Sequence, residues 1–283
     1  MKNEQYSSPV FTMTMLDSMH DALVLMKTNF IKRVVVTRDK KAIGILTERD
    51  INKFLQQDTT KRSLSEIHVK EIMKKNLIMV TADQEDFLHQ CATRMMTFKI
   101  GSIIVTDVDG NLVGIVTQTD ITRAFANQYP GKYKVKDYMS EKPVTCRNSD
   151  HLRYALETLN KNNVSRLIVT DNSGNVRGII TTNTFLKYSD YFKRSDGVGR
   201  DYLLEKKHSS LTVDDLIGKE ILIVEPDYDL ANAAHLMIKN NISGIPVITQ
   251  DSLVGVITKF DVVRAFCDVP VHKELLEKYR APN

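Results

Sequence analysis

Cysteine is scarce in this chain, and what there is sits badly for chemistry. Cys91, Cys146 and Cys267 are odd in number and far apart. No Cys-x-x-Cys and no Cys/His pair at zinc-ligand spacing occurs, so a disulfide framework and a structural zinc site are excluded. Free, mostly buried thiols are expected, which suits a reducing cytoplasm. Long apolar runs are missing as well. None reaches the roughly 18 residues that a membrane span requires. The opening "MKNEQYSSPV" lacks the apolar region of a signal peptide. A cytoplasmic protein without membrane contact is expected.

Phosphate-cradling and nucleophile motifs are lacking too. There is no Walker-type GxxxxGK[ST] and no Gly-x-Ser-x-Gly. "DGVGRD" has Gly-x-Gly without a third glycine, a preceding strand or a following apolar helix. The seven histidines share no metal spacing, and His89 and His235 fall on expected helices as structural residues. No acid–base pair, metal cluster or nucleophile constellation emerges, so an enzymatic role is not expected and no catalytic cofactor is implied. Net charge is +4 over 283 residues. That is too diffuse to imply nucleic acid. With 42% hydrophobic and 26% charged residues the chain has ample material for a core.

What is present is a phrase written four times. "AIGILTERDI" (42–51), "LVGIVTQTDI" (112–121), "VRGIITTNTF" (176–185) and "LVGVITKFDV" (253–262) share a glycine and a closing threonine. The glycines, Gly44, Gly114, Gly178 and Gly255, are 70, 64 and 77 residues apart. That period is too long for solenoid units and suits a small α/β unit each. A short apolar run opens every unit: "FTMTM" (11–15), "LIMVT" (77–81), "PVTCR" (143–147) and "ILIVE" (221–225).

A helical segment follows, with apolar residues at three and four spacing, as in Leu230, Ala233, Ala234 and Met237. Asp17, Asp83 and Asp227 stand near the expected helix starts. Then comes a hairpin, with turns at Asp109-Gly110-Asn111, Ser173-Gly174-Asn175, Asp39-Lys40-Lys41 and Gln250-Asp251-Ser252. A second helix starts at Thr-x-x-Asp. The order is therefore β-α-β-β-α, an α/β class, with strands apolar enough for burial on both faces.

The expected layout is repeat one at 1–60, repeat two at 66–128, repeat three at 133–190, a linker or insertion at 191–212, repeat four at 213–270 and a tail at 271–283. "HKELLEKYRAPN" in the tail reads as a short amphipathic helix. About 60 residues bury only a marginal core, so pairing of units is expected. Repeat one would pair with two, and three with four.

Thr-x-x-Asp has two physical meanings. It is a capping box, in which side chain and backbone satisfy each other at a helix start. It can also hold a ribose, since a carboxylate accepts from a vicinal diol and the free amides beside it favour an anion. The two uses are compatible for the threonine.

The repeat order, the Gly-hydrophobic-x-Thr-x-x-Asp ending and the lead-ins "VKEIM", "VKDYM" and "VDDLI" resemble CBS domains. The resemblance covers about 11–267. CBS repeats usually pair into Bateman modules, so two tandem modules are implied. The four-repeat layout is similar to the gamma subunit of AMP-activated protein kinase. The resemblance implies a regulatory protein that binds AMP, ADP or ATP, with S-adenosylmethionine and dinucleotides as further adenosyl ligands. Occupancy would be passed to an unidentified regulated protein or to a second copy of the chain. The alternative is a scaffold for protein or nucleic-acid interaction that binds no metabolite.

The implied ribose residues are Thr47 with Asp50, Thr117 with Asp120, and Thr258 with Asp261. The third copy has Thr181 but Thr184 where the carboxylate should be, so an empty or weak site is expected there. Arg33 and Arg166 open second strands where some members of the family place a basic residue against phosphate. Arg166 would reach the Thr258–Asp261 site, with Val224 and Ile245 lining adenine. Arg33 would serve Thr117–Asp120. Met13 and Met15 are flexible core or, alternatively, part of an adenine slot.

Overall fold

The computed structural model describes residues 6–58, 60, 62–82, 86–187, 211–218 and 220–278. The repeat grammar is realised four times. Repeat one comprises β1 (Thr12–Met13), α1 (Met19–Thr28), β2 (Arg33–Arg38), β3 (Lys41–Thr47) and α2 (Glu48–Gln57). Repeat two comprises β4 (Met79–Thr81), α3 (Phe87–Phe98), β5 (Ser102–Thr106), β6 (Leu112–Thr117) and α4 (Gln118–Gln128). In repeat three these are β7 (Thr145–Arg147), α5 (Leu152–Lys161), β8 (Arg166–Thr170), β9 (Val176–Thr181) and α6 (Thr182–Lys187). Repeat four has α7 (Leu230–Lys239), β10 (Gly244–Thr249), β11 (Ser252–Thr258) and α8 (Lys259–Lys278). Of the expected linker at 191–212, residues 191–210 lie outside the described residues. The tail helix is no separate element, because α8 runs on to Lys278.

Each hairpin is antiparallel, and in repeats one to three the first strand lies parallel to the hairpin's leading strand. Repeat four departs from this. Its "ILIVE" run makes only one bridge, Val224 with Val247. The cause is Pro246. In the other repeats the residue at that register donates its amide to the first strand: Val35 to Phe11, Ile104 to Ile78 and Ile168 to Val144, at 3.0–3.2 Å. Proline has no amide hydrogen to give.

Turn chemistry follows the local residues. Gly110 and Gly174 take φ of +79° and +87°. Asp107 and Asp171 accept from the amides of Asn111 and Asn175 across those loops. Repeats one and four turn without glycine, on Asp39-Lys40 and Gln250-Asp251, all at positive φ, as a two-residue hairpin turn requires.

The expected helix starts need correction. Ser18 caps α1, and Asp229 caps α7 by accepting from Asn232 at 2.8 Å. Asp17 instead accepts from Thr14. Asp227 pairs with Lys134 and Lys136, which hold its carboxyl down at about 2. Asp83 lies outside the described residues.

The chain forms two compact units. The first holds Met1–Val10, Ile78–Lys142 and Leu222–Asn283, that is, repeats two and four. The second holds Phe11–Leu77 and Pro143–Ile221, repeats one and three. In the first unit one core runs through both repeats, where α4 packs on α7 and α8 and α3 packs on α8. Phe125 and Phe266 are buried at its centre, and His89 stacks on Phe266 with ring centroids 4.2 Å apart. In the second unit α2 packs on α6. Met13 is a core residue there, packed with Met19 and Val36, and Met15 packs against the same cluster.

The units cut across the expected pairing of one with two and three with four, because the second helices bury their apolar faces on helices two repeats away. The lead-ins nevertheless follow the expected pairs. Each lead-in docks on the hairpin of its partner repeat. Tyr6–Ser7, ahead of repeat one, bridges β6 of repeat two; the lead-in of repeat two, through Lys74, bridges β3 of repeat one. Ser140, ahead of repeat three, bridges β11 of repeat four. Ile217, ahead of repeat four, sits over Gly178 of repeat three. Val69, Val135 and Val213 of these lead-ins are fully buried, each contributing roughly 1.5–3 kcal/mol of burial. Each lead-in is thus built into the unit that holds its partner repeat.

The exchange also explains the glycine of the repeated phrase. A methyl group at Gly44 would stand 2.6 Å from Met73 Sδ, and one at Gly255 would stand 2.9 Å from both Met139 Sδ and the Ser140 carbonyl. At Gly114 it would strike the Tyr6 ring. The glycine admits the partner's lead-in.

Candidate functional site: three carboxylates at helix starts

Thr-x-x-Asp is a capping box in every copy that has it. Thr47 Oγ1 donates to Asp50 Oδ2 at 2.5 Å, and the Thr47 amide donates to the same oxygen at 3.1 Å. In repeat two the corresponding distances to Asp120 Oδ2 are 2.7 and 2.8 Å. In repeat four those to Asp261 Oδ2 are 2.6 and 2.9 Å. Local sequence fixes this: threonine ends a strand with extended backbone, and the third helical residue returns its carboxylate to the cap.

The cap engages one oxygen and leaves the other facing outward. Each Oδ1 meets a cation: Lys74 at 2.8 Å from Asp50, Arg123 at 3.2 Å from Asp120, and Arg264 at 3.4 Å from Asp261. The three carboxylates are only 8–11% exposed, whereas their cations are 43–64% exposed. A carboxylate offers about four lone-pair sites. At Asp50 and Asp120 two cap bonds and one cation leave capacity on Oδ1, and a cation on an exposed stem can give way. Capping and diol binding therefore divide one carboxylate between its two oxygens.

Thr184 keeps the cap and nothing more. Its Oγ1 accepts from the Thr181 amide at 3.1 Å and lies 3.1 Å from Thr181 Oγ1. There is no second oxygen and no charge.

The arginines expected at phosphate both lie in the second unit, while Thr117, Asp120, Thr258 and Asp261 lie in the first. Within its own hairpin Arg33 stands opposite Thr47, and Arg166 opposite Thr181. The candidate adenine-lining residues Val224 and Ile245 are 5% and 0% exposed and pack in the core, and Val224 also lines an open depression. Their neighbours Leu222 and Ile223 face outward, at 39% and 51% exposure. That depression, of about 490 Å³, is lined by Val224 together with Ile223, Tyr228, Leu236, Ile248 and Asp251. It is at the turn end of the hairpin, whereas Thr258 stands at the other end, paired with Gly244.

Residues missed in the sequence gather at the helix starts. Lys259, the first residue of α8, is 6% exposed and donates to Thr119 Oγ1 at 3.1 Å. In the second unit the corresponding place is held by Glu48, 7% exposed and bonded to Asn183. Arg123 and Arg264 had a signal, an Asp-x-x-Arg spacing on one helix face. Lys74 had none, since it arrives from the next repeat's lead-in. Burial pushes the Cys91 and Cys146 thiols up to about 12 and that of Cys267 to about 11.

The CBS domain family profile matches residues 4–57, 69–127, 135–191 and 213–268. The chain belongs to the CBS domain family. It is 23% identical over 261 residues to the protein MJ1225 of Methanocaldococcus jannaschii, a match spanning 87% of this chain and 91% of that one. The crystal structure of MJ1225, a proposed archaeal homologue of gamma-AMPK, superposes with a TM-score of 0.80 at 20% identity, over 93% of this chain and 98% of that one. A conserved protein from Pyrococcus horikoshii gives a TM-score of 0.64 at 21% identity, over 94% and 100%. These structures share the fold. Inosine-5'-monophosphate dehydrogenase of M. jannaschii is 32% identical over 121 residues, 43% of this chain but only 23% of that enzyme. Among the described residues no helix is long and apolar enough to cross a membrane.

Proposed function

We propose that this protein is a regulatory module that binds adenosine-containing nucleotides, AMP, ADP or ATP, and passes their occupancy to a partner protein or a second copy of itself. The observation that carries this is the division of labour in Asp50, Asp120 and Asp261. One oxygen holds the helix cap and the other is turned outward with a cation. A ribose diol can replace that cation, forming hydrogen bonds to a charged acceptor in a largely buried setting, where they are strongest. Thr184 offers no such oxygen, so the third copy contributes structure without a diol clamp. Buried Lys259, where α4 and α8 meet, favours a ligand bearing phosphate over S-adenosylmethionine. Binding shifts the protein's conformation only through different affinity for two states. The exchanged lead-ins suit this, since those on repeats one, two and four bridge the strand residue two before the Thr-x-x-Asp box. The chemistry assigned here is binding, in the cytoplasm, with no turnover of the nucleotide.

The test is a calorimetric titration of folded protein with AMP, ADP, ATP and S-adenosylmethionine. Binding of at least one phosphate-bearing adenosyl compound is expected. Absence of heat with all four would contradict the proposal and favour a scaffold that binds no metabolite.

A further inference from the structure

The three carboxylates differ in what covers their outward oxygen, and one cover is built in. At Asp120 and Asp261 the cation is an arginine three residues on along the same helix, at 3.2 and 3.4 Å. At Asp50 it is Lys74, at 2.8 Å, and Lys74 belongs to the lead-in of repeat two. Its backbone is pinned: Ile45 donates to the Lys74 carbonyl at 3.0 Å, and the Lys74 amide donates back at 2.9 Å. Ile45 precedes Thr47 by two residues on β3, so the lysine stem starts beside the capping box. The same lead-in place is Ser7 on β6 and Ser140 on β11, bridged to Ile115 and Val256. After Ile217 in the remaining lead-in comes Gly218. Only the copy on repeat one carries a cation there.

We infer that Lys74 is a self-ligand of the first repeat: its ammonium occupies the diol-accepting oxygen of Asp50, so this site fills after those of repeats two and four. This holds only if these carboxylates are ribose ligands, as proposed above. Filling Asp50 then requires the lysine to leave, while its backbone stays within the docked lead-in. The lysine thereby makes repeat one a lower-affinity sensor than its neighbours, and a change in the lead-in's docking changes that affinity.

The test isolates repeat one. In an Asp120→Asn, Asp261→Asn background, asparagine keeps an oxygen for each cap but removes the outward carboxylate oxygen. Adenosine, which has the diol and no phosphate, is titrated into this protein with and without Lys74→Ala. Tightening of about three- to fivefold on Lys74→Ala is expected, the scale of a partly exposed ion pair, with loss of that binding when Asp50→Asn is added. Unchanged or weaker adenosine binding overturns the inference. A parallel titration with AMP identifies a phosphate role: weaker AMP binding with unchanged adenosine binding makes Lys74 a phosphate ligand and also overturns it. If the natural protein binds adenosyl compounds and the Lys74→Ala background does not, the sites of repeats two and four stand and self-occlusion falls. If the natural protein binds none, the ribose assignment itself fails. Lys74 is 64% exposed, so its removal leaves the fold intact.

Discussion

Thr258 Oγ1 donates to Asp261 Oδ2 at 2.6 Å, and this single contact decides which carboxylate oxygen is left for anything else. The remaining oxygen faces Arg264, which also donates to the Tyr138 carbonyl and lies over the Tyr138 ring. A helix cap and a ligand acceptor thus coexist in one side chain, and the two can be separated by mutation.

Asp261→Asn should do so. The amide oxygen still accepts from the Thr258 amide, so thermal stability should change little. AMP binding at that site should weaken by about ten- to a hundredfold, the loss of a charged hydrogen-bond acceptor. Asp261→Ala should lose both, with an added stability cost of about 1 kcal/mol from the missing cap. Calorimetry and thermal melts of the two variants check the separation.

Thr184→Asp should restore what the third copy lacks. The cap geometry is already in place, and a carboxylate in the first turn of a helix is favoured by about 0.3–1 kcal/mol. The variant should be at least as stable as the natural protein and bind additional AMP. Titration stoichiometry measures this.

The lead-in glycines should differ in cost. At Gly255 an added methyl meets the Ser140 carbonyl, backbone that cannot yield; at Gly44 its nearest neighbour is the flexible end of Met73. Gly255→Ala should destabilise by about 1–3 kcal/mol and Gly44→Ala by less. Chemical denaturation of the two variants compares them.

His89 should give the stability an acid-side dependence. Burial against Phe266 lowers its pKa below the ordinary 6.5, despite the opposing charge of Asp86. The unfolded chain therefore takes up a proton first as pH falls. His89's contribution is complete above pH 6.5 and is lost as pH drops through its folded value. Melting temperatures between pH 7.5 and 5 should fall less steeply for His89→Gln than for the natural protein.

Much of the fold was readable from the repeated phrase. The hairpins declared themselves in Gly110 and Gly174, both at positive φ. The carboxylates were legible from Thr-x-x-Asp, although only geometry could show its two oxygens used differently. Other features depend on contacts that sequence order does not encode. Nothing local to "VKEIM" tells that it docks on the preceding repeat, so Lys74 was invisible as a neighbour of Asp50. That Val224 and Ile245 are both buried follows from their packing in the core, which residue type alone does not fix. The grouping of repeats two with four followed from helix faces such as Phe125 and Phe266, whose partners lie far away in the chain.

The central claim is that the outward oxygens of Asp50, Asp120 and Asp261 receive a ribose diol. Its most direct test is a calorimetric comparison of AMP with 2′-deoxy-AMP on the natural protein. The two share base and phosphate and differ by one hydroxyl of the diol. AMP should bind at least about tenfold more tightly, the loss of one hydrogen bond to a charged group. Equal affinity for the two nucleotides would contradict the account.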